Sequence, residues 1–167
     1  TLIPEMSKDT RSMTMLQRSP TYYYPRPMMD EFSTTLNALK LPDEWYHEIM
    51  RRKFLHESEE TVRRSKDEPD MLAAELIEAA RAYLGADYDV GTHFTPSYRP
   101  WRQRIAMLPD GDMFKVIREG KAQVVTDHIE SFVADGLQLA SGRMLNADII
   151  VTATGLSLNV WGDISMT

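Results

Sequence analysis

The stretch "MTMLQRSP", Met13 to Pro20, decides the fold. A short apolar run, Met13 to Leu16, has the length and composition of a strand. It stops at Gln17, Arg18 and Ser19, and Pro20 then turns the chain out of any sheet. Immediately before it, "TLIPEM", Thr1 to Met6, reads as the last turns of an amphipathic helix, joined to the strand through Lys8 to Ser12. Helix and strand together read as the back half of a strand-helix-strand unit, and the chain as a slice cut from something longer. An arginine and a hydroxyl at the carboxyl end of such a strand pose the functional question.

Beyond Pro20 the texture changes. Pro-rich turns lead into charged helical segments, Met29 to Leu39, Asp43 to Phe54 and Met71 to Leu84. In the last, Leu72, Leu76, Ala79, Ala80 and Tyr83 recur at helical spacing, with Pro69-Asp70 ahead and Gly85 behind. Tyr22, Tyr23 and Tyr24 read as packing residues, and Arg51 to Arg64 as a solvated helical face with i, i+4 ion pairs. From Gly91 to Pro109 the chain reads as a loop rich in proline, aromatics and arginine. Asp112 then caps a short helix that Gly120 ends, and Gln123 to Thr126 form a strand. Alternation of apolar and polar residues across Asp135-Gly136 and Ser141-Gly142 predicts a small meander. It feeds into Asp148 to Ala153, whose unbroken apolar run predicts a strand buried on both faces.

The totals narrow the function classes. The chain has 167 residues, 43% of them apolar, enough for a core, and a formal net charge of -6, which argues against generic nucleic-acid binding. No apolar run approaches the roughly 20 residues that span a bilayer. Cysteine is absent, which removes disulfides and thiolate metal sites, and a cytoplasmic location is the default. His47, His56, His93 and His128 fall on different segments without i, i+3 or i, i+4 pairing, so no metal site is expected.

Three constellations carry chemistry. In a dinucleotide-binding fold, an acidic residue at the end of the second strand holds the ribose 2′-hydroxyl of NAD, whereas an arginine accommodates the 2′-phosphate of NADP. Arg18, with Ser19 as a hydroxyl donor, stands at that position, and its planar fork suits phosphate; the alternative is a surface arginine at a strand end. In "DIIVTATGL", small residues and glycine after a buried strand let the backbone approach a cofactor or a neighbouring domain, or simply make a turn. In "THFTPSYRPWRQRIAML", Arg99, Arg102 and Arg104 sit among His93, Phe94, Tyr98 and Trp101. Such a loop either places a permanent cation over a ligand or is an arginine-aromatic surface loop held by cation-π stacking.

As an ordered set, "MLQRSPTYYYPRP", a helical insertion, "HFTPSYRPWRQR", "LPDGDMFKVIREGKAQVVTDHIESF" and "DIIVTATGL" resemble the middle of the Baeyer-Villiger monooxygenases of the flavin-containing monooxygenase superfamily. The resemblance is strongest at residues 13 to 20 and 94 to 156. It implies an α/β fold in which part of a Rossmann-like NADP-binding domain, with a central parallel sheet and a small antiparallel meander, carries an inserted helical subdomain. Residues 1–20 and 95–152 would be pieces of the NADP domain, 21–94 the insertion, and 153–167 the linker back to an FAD domain outside the chain. The implied parent uses FAD and NADPH to insert one oxygen atom from O2 into ketones, or onto the sulfur of sulfides or thioamides, through a peroxyflavin. The fragment alone is expected to be inactive.

By the same resemblance Arg18 and Ser19 read the NADP 2′-phosphate, and Arg104 matches the active-site arginine. Thr152, Ala153, Thr154 and Gly155 match the linker at the junction of the two nucleotide domains. Many members carry a lysine directly before the active-site arginine, which helps to select NADP; Gln103 holds that coenzyme-binding place here, and Arg102 or Arg99 is the candidate substitute for the lysine. Neither glycine-rich fingerprint of the family is in the chain. Two rival readings are a stand-alone, non-catalytic interaction module presenting the helices at 43 to 84, and a related reductase or oxidase built on two dinucleotide domains.

Overall fold

The computed structural model describes residues 2–155 together with Gly162 and Ile164. Two compact units divide between Asp127 and His128, inside the piece assigned above to 95–152.

In the first unit, α1 (Leu2–Met6) leads into β1 (Met13–Gln17), as the opening stretch predicts. β1 pairs in parallel with β4 (Ala122–Thr126), from Met13 opposite Ala122 to Gln17 opposite Thr126. A second parallel pair joins β2 (Tyr23–Arg26) to β3 (Ala106–Pro109). β2 falls where the sequence suggested only turns and packing tyrosines. Pro25 disguises it, and is tolerated because among the described residues β2 has a strand partner on one side only. Successive strand residues point to opposite faces, so Tyr22 packs with Leu72, Leu76 and Ile105 while Tyr23 packs against Phe94 and Phe114. The fold is mixed α/β, but among the described residues the parallel strands form two separate pairs rather than one central sheet.

Between β2 and β3 lie α2 (Glu31–Ala38), α3 (Asp43–Asp67), α4 (Pro69–Leu84) and α5 (Val90–Phe94). α3 runs well past Phe54, where the expected segment stopped, because ion pairs one turn apart, such as Lys53 with Glu57 and Arg63 with Asp67, support its polar second half. It ends at Glu68, the residue before Pro69, where helical backbone is disfavoured. α4 buries Leu72, Leu76, Ala80 and Leu84, a stripe at fourfold spacing. α5, expected as loop, is capped by Asp89, whose carboxylate accepts from Thr92 N at 2.9 Å.

The largest buried cluster gathers α4, α5 and α6 (Asp112–Arg118) over β3 and β4. At its centre Phe114 is 0% exposed, with the Phe94 ring set edge-on at 5.2 Å. The cap of α6 is Gly111 rather than Asp112, which is already the first helical residue. Gly111 has φ +64, and a Cβ there would lie 2.2 Å from the Tyr83 ring, so backbone and space both demand glycine.

The second unit is the predicted meander: β5 (Ile129–Val133), β6 (Gly136–Leu139) and β7 (Met144–Asn146), all antiparallel. Ser141-Gly142 falls between β6 and β7, whereas Asp135-Gly136 straddles the start of β6, with Gly136 already paired to Val133. The buried strand expected at Asp148 to Ala153 is corrected. These residues form no strand, and Ile149 is 75% exposed and Val151 51%. A strand covered on both faces needs hydrogen-bonded neighbours, and none of the described strands pairs with this run. Of the linker assigned to 153–167, residues 156–161, 163 and 165–167 lie outside the described residues.

Candidate functional site

Arg18 and Ser19 follow directly from the last residue of β1 and are exposed. They lie at the carboxyl end of the β1–β4 pair, the end at which ligands bind in open α/β sheets. The backbone here is held on both sides. Asp127 N donates to the Gln17 carbonyl at 2.9 Å, and the Gln17 amide nitrogen donates to His93 O at 2.7 Å and to Thr126 Oγ1 at 2.9 Å.

Three residues beyond Arg18, Thr21 joins this strand end to the arginine-rich loop. Its hydroxyl accepts from the Tyr98 hydroxyl at 3.0 Å and donates to the Arg104 carbonyl at 3.3 Å. Next to it, Ala106 N donates to Tyr22 O at 2.8 Å, and Tyr22 Oη donates to Tyr98 O at 2.8 Å. Burial, followed by the nearby Tyr98 and Asp70, raises the Tyr22 pKa, so this phenol stays a neutral donor. Since three residues span at most roughly 11 Å of extended chain, the Thr21 bond brings the Arg104 backbone into the neighbourhood of Arg18 and Ser19. Gln103 and Arg104 are exposed there.

The loop itself is fixed by buried Pro96 and Pro100 and by Arg99. Arg99 Nη1 donates to Ser65 O at 3.0 Å and to Ser65 Oγ at 3.2 Å, tying the loop to α3. Arg99 is thereby a structural tether of this loop. The cation-π contacts among the described residues belong to Arg26 and Lys53 over Phe54, so this loop is held by hydrogen bonds and packing instead.

Thr152, Ala153, Thr154 and Gly155 are exposed residues of the second unit without regular structure, and Gly155 has φ +98. Two open grooves, of about 390 and about 370 Å³, run along α3 beside Phe54 and Ser58, and neither is lined by Arg18 or Arg104. They are shallow surface depressions on the helical part. Among the described residues no group of three histidine or acidic side chains converges as a metal site. Sequence reasoning gave no role to Gln17, Thr21 and Thr126, and named His93 and Tyr98 only as neighbours of the loop arginines. The signal available was a polar residue closing each of the strands β1 and β4.

The α/β unit thus sets exposed Arg18 and Ser19 at the carboxyl end of a parallel strand pair. The relatives are more specific. The chain is 40% identical over its whole length to a probable FAD-binding monooxygenase, AlmA, of Acinetobacter baylyi, and to the FAD-containing monooxygenase EthA of Mycolicibacterium smegmatis. It is 39% identical, over 97% of its length, to the putative FAD-containing monooxygenase MymA of Mycobacterium tuberculosis. These matches take up 33%, 34% and 33% of the respective relatives, so the chain spans about a third of their length. No protein-family model and no solved structure matches the chain significantly. The chain is thus homologous throughout to one third of an FAD-containing monooxygenase, in line with the resemblance carried by its ordered motifs.

Proposed function

We propose that this chain is the coenzyme-reading portion of an FAD- and NADPH-dependent monooxygenase. The reaction transfers one atom of O2 to a ketone, beside its carbonyl, or to the sulfur of a sulfide or thioamide. The other atom leaves as water while NADPH is oxidised to NADP+. The observation that supports this reading is the hydrogen-bonded seam from Thr21 and Tyr22 to the Arg104 carbonyl and Ala106, just beyond Arg18 and Ser19, in a chain homologous to flavin monooxygenases.

The residues present fit the 2′-phosphate end of NADPH. A guanidinium and an adjacent hydroxyl, exposed at a strand terminus, offer charge-assisted donors to a dianion. The Gln103 amide adds a neutral donor beside Arg104. They do not fit FAD, because a dinucleotide pyrophosphate needs a glycine-rich strand-to-helix turn and the sequence has none. Holding the flavin falls to the part of such a protein that this chain does not match. Arg104 supplies a guanidinium, which stabilises negative charge developing on the substrate oxygen. Thr152 to Gly155 form, in this reading, the junction between nucleotide domains. The division into NADP-domain pieces at 1–20 and 95–152, an insertion at 21–94 and a linker at 153–167 is part of the same proposal.

The test uses the full-length protein that contains this chain. Arg18→Ala raises the KM for NADPH by about 10- to 100-fold, the worth of one or two charge-assisted hydrogen bonds, with the KM for NADH unchanged. Arg104→Ala leaves NADPH oxidation running while oxygenated product disappears. Unaltered coenzyme preference in the first variant, or full product yield in the second, refutes the corresponding role.

A further inference from the structure

The carboxyl ends of β1 and β4 meet α5 in a closed ring of hydrogen bonds that the proposed chemistry does not use. Gln17 is the last residue of β1, Thr126 the last of β4, and the two are opposite each other on the final rung of the parallel ladder. Both hydrogens of the Gln17 amide nitrogen are committed, one to His93 O at 2.7 Å and one to Thr126 Oγ1 at 2.9 Å. Thr126 Oγ1 lies 2.8 Å from His93 Nδ1, which closes the ring through the imidazole of α5. The ring closes in either sense. Thr126 donates its hydroxyl proton to a bare Nδ1, or accepts from a protonated Nδ1 with its second lone pair. The main chain is held in addition, since Asp127 N donates to Gln17 O at 2.9 Å.

The position of this ring is what gives it a consequence. Gln17 is covalently joined to Arg18, so both ends of the residue preceding the exposed arginine are fixed to other elements. Gln17 also lies on the same side of β1 as half-buried Met13 and Met15, so its polar head is turned towards the unit rather than into solvent. A cross-strand amide elsewhere on the same ladder, Gln123 Nε2 to Thr14 Oγ1 at 2.8 Å, is exposed and reaches no third element. The ring at the strand ends links β1, β4 and α5 next to Arg18.

We propose that Thr126 and His93, acting through Gln17, are positioning residues that fix the start of the Arg18 side chain for recognition of a 2′-phosphorylated adenosine. This rests on the reading of Arg18 as the 2′-phosphate reader. A long, exposed side chain loses less freedom on binding when its root is already immobile, so the ring raises affinity for the phosphate without touching it. Groups that bind the rest of the nucleotide are unaffected.

The experiment is calorimetric titration of the full-length protein with two probes, 2′,5′-ADP and 5′-AMP, in the wild type and in Thr126→Val, Thr126→Ser and Arg18→Ala. Thr126→Val keeps the shape and β-branching of the residue and removes only the hydroxyl. It is expected to weaken 2′,5′-ADP binding by about 3- to 10-fold, the worth of one hydrogen bond, and to leave 5′-AMP binding unchanged. Thr126→Ser restores the hydroxyl and is expected to bind 2′,5′-ADP within about twofold of wild type. Equal losses for both probes in Thr126→Val, no loss at all, or a Ser variant as weak as the Val variant each overturn the proposal. Arg18→Ala separates it from the reading beneath it. If Arg18→Ala erases the preference for 2′,5′-ADP while Thr126→Val does not reduce it, the positioning role alone fails. If Arg18→Ala keeps the preference, the 2′-phosphate reading fails and takes the positioning role with it.

Discussion

Replacing Arg99 by methionine tests whether the arginine loop is built onto the helical part or merely lies against it. Ser65 is 0% exposed and sits in the last turn of α3. Its hydroxyl is satisfied locally by donating to Val62 O at 2.7 Å. Its carbonyl has no helical donor, because the residue four positions on is Pro69, which has no N–H. Arg99 Nη1 supplies that donor at 3.0 Å and reaches Ser65 Oγ at 3.2 Å as well. Methionine keeps much of the aliphatic length but leaves the buried carbonyl unpaired, which costs about 1–3 kcal/mol. Arg99 is exposed as a residue, so water reaches part of the gap and the lower half of that range, about 1–2 kcal/mol, applies. For a chain of this size that corresponds to a fall of roughly 2–8 °C in Tm. Equilibrium urea unfolding followed by circular dichroism measures it, with the m-value expected to stay constant. A loss below about 0.3 kcal/mol would show that the tether is ornamental and that packing of Pro96 and Pro100 alone holds the loop.

Two further predictions concern stability. Gly111→Ala forces a Cβ into a left-handed position 2.2 Å from the Tyr83 ring, so the variant loses about 1–2 kcal/mol from backbone strain and more from displacing Tyr83; a melting temperature equal to wild type contradicts this. The second concerns pH and the cluster where β2 meets α2 and α3. Arg26 Nη2 lies 2.7 Å from Glu57 Oε2, Lys53 Nζ lies 2.8 Å from Asp30 Oδ2, and Lys53 also binds Glu57. The Lys53 hydrogen bond lowers the Asp30 pKa. For Glu57 burial pushes upward, but Lys53 and Arg26 outweigh it and the net shift is downward. Asp30 and Glu57 raise the Lys53 pKa through hydrogen bonds. The carboxylates therefore contribute fully above their ordinary values near about 4, and lose that contribution as pH falls through their lowered values. Lys53 contributes fully below its ordinary value of about 10.4, and loses it as pH rises through its raised one. Lys53→Met is expected to move the acid-unfolding midpoint to higher pH, and an unmoved midpoint argues against the cluster.

Much of the framework is legible locally. The stripe of α4 repeats every fourth residue, Gly120 and Gly85 stop their helices, and both turns of the meander are named by their dipeptides. Errors occur where a local signal depends on a distant partner. β2 reads as turns because prolines flank the tyrosines, yet it becomes a strand through pairing with β3. Asp148 to Val151 reads as a buried strand by composition, yet no described strand pairs with it. α5 is too short for helical periodicity to reveal it and depends on a single Asp89 cap.

The sequence by itself determined that Arg18 and Ser19 close a strand, that Arg104 follows a proline-stiffened aromatic loop, and that the ordered motifs resemble a flavin monooxygenase. Each is a property of consecutive residues, fixed by backbone propensity and spacing. Only the tertiary structure decided which groups meet at that edge. Gln17 reaches His93 across 76 residues and Thr126 across 109, and Thr21 reaches Arg104 across 83. Such bonds form between groups that chain distance leaves unrelated until the aromatic core around Phe114 has brought β1, β4 and α5 together, and no local pattern records that meeting.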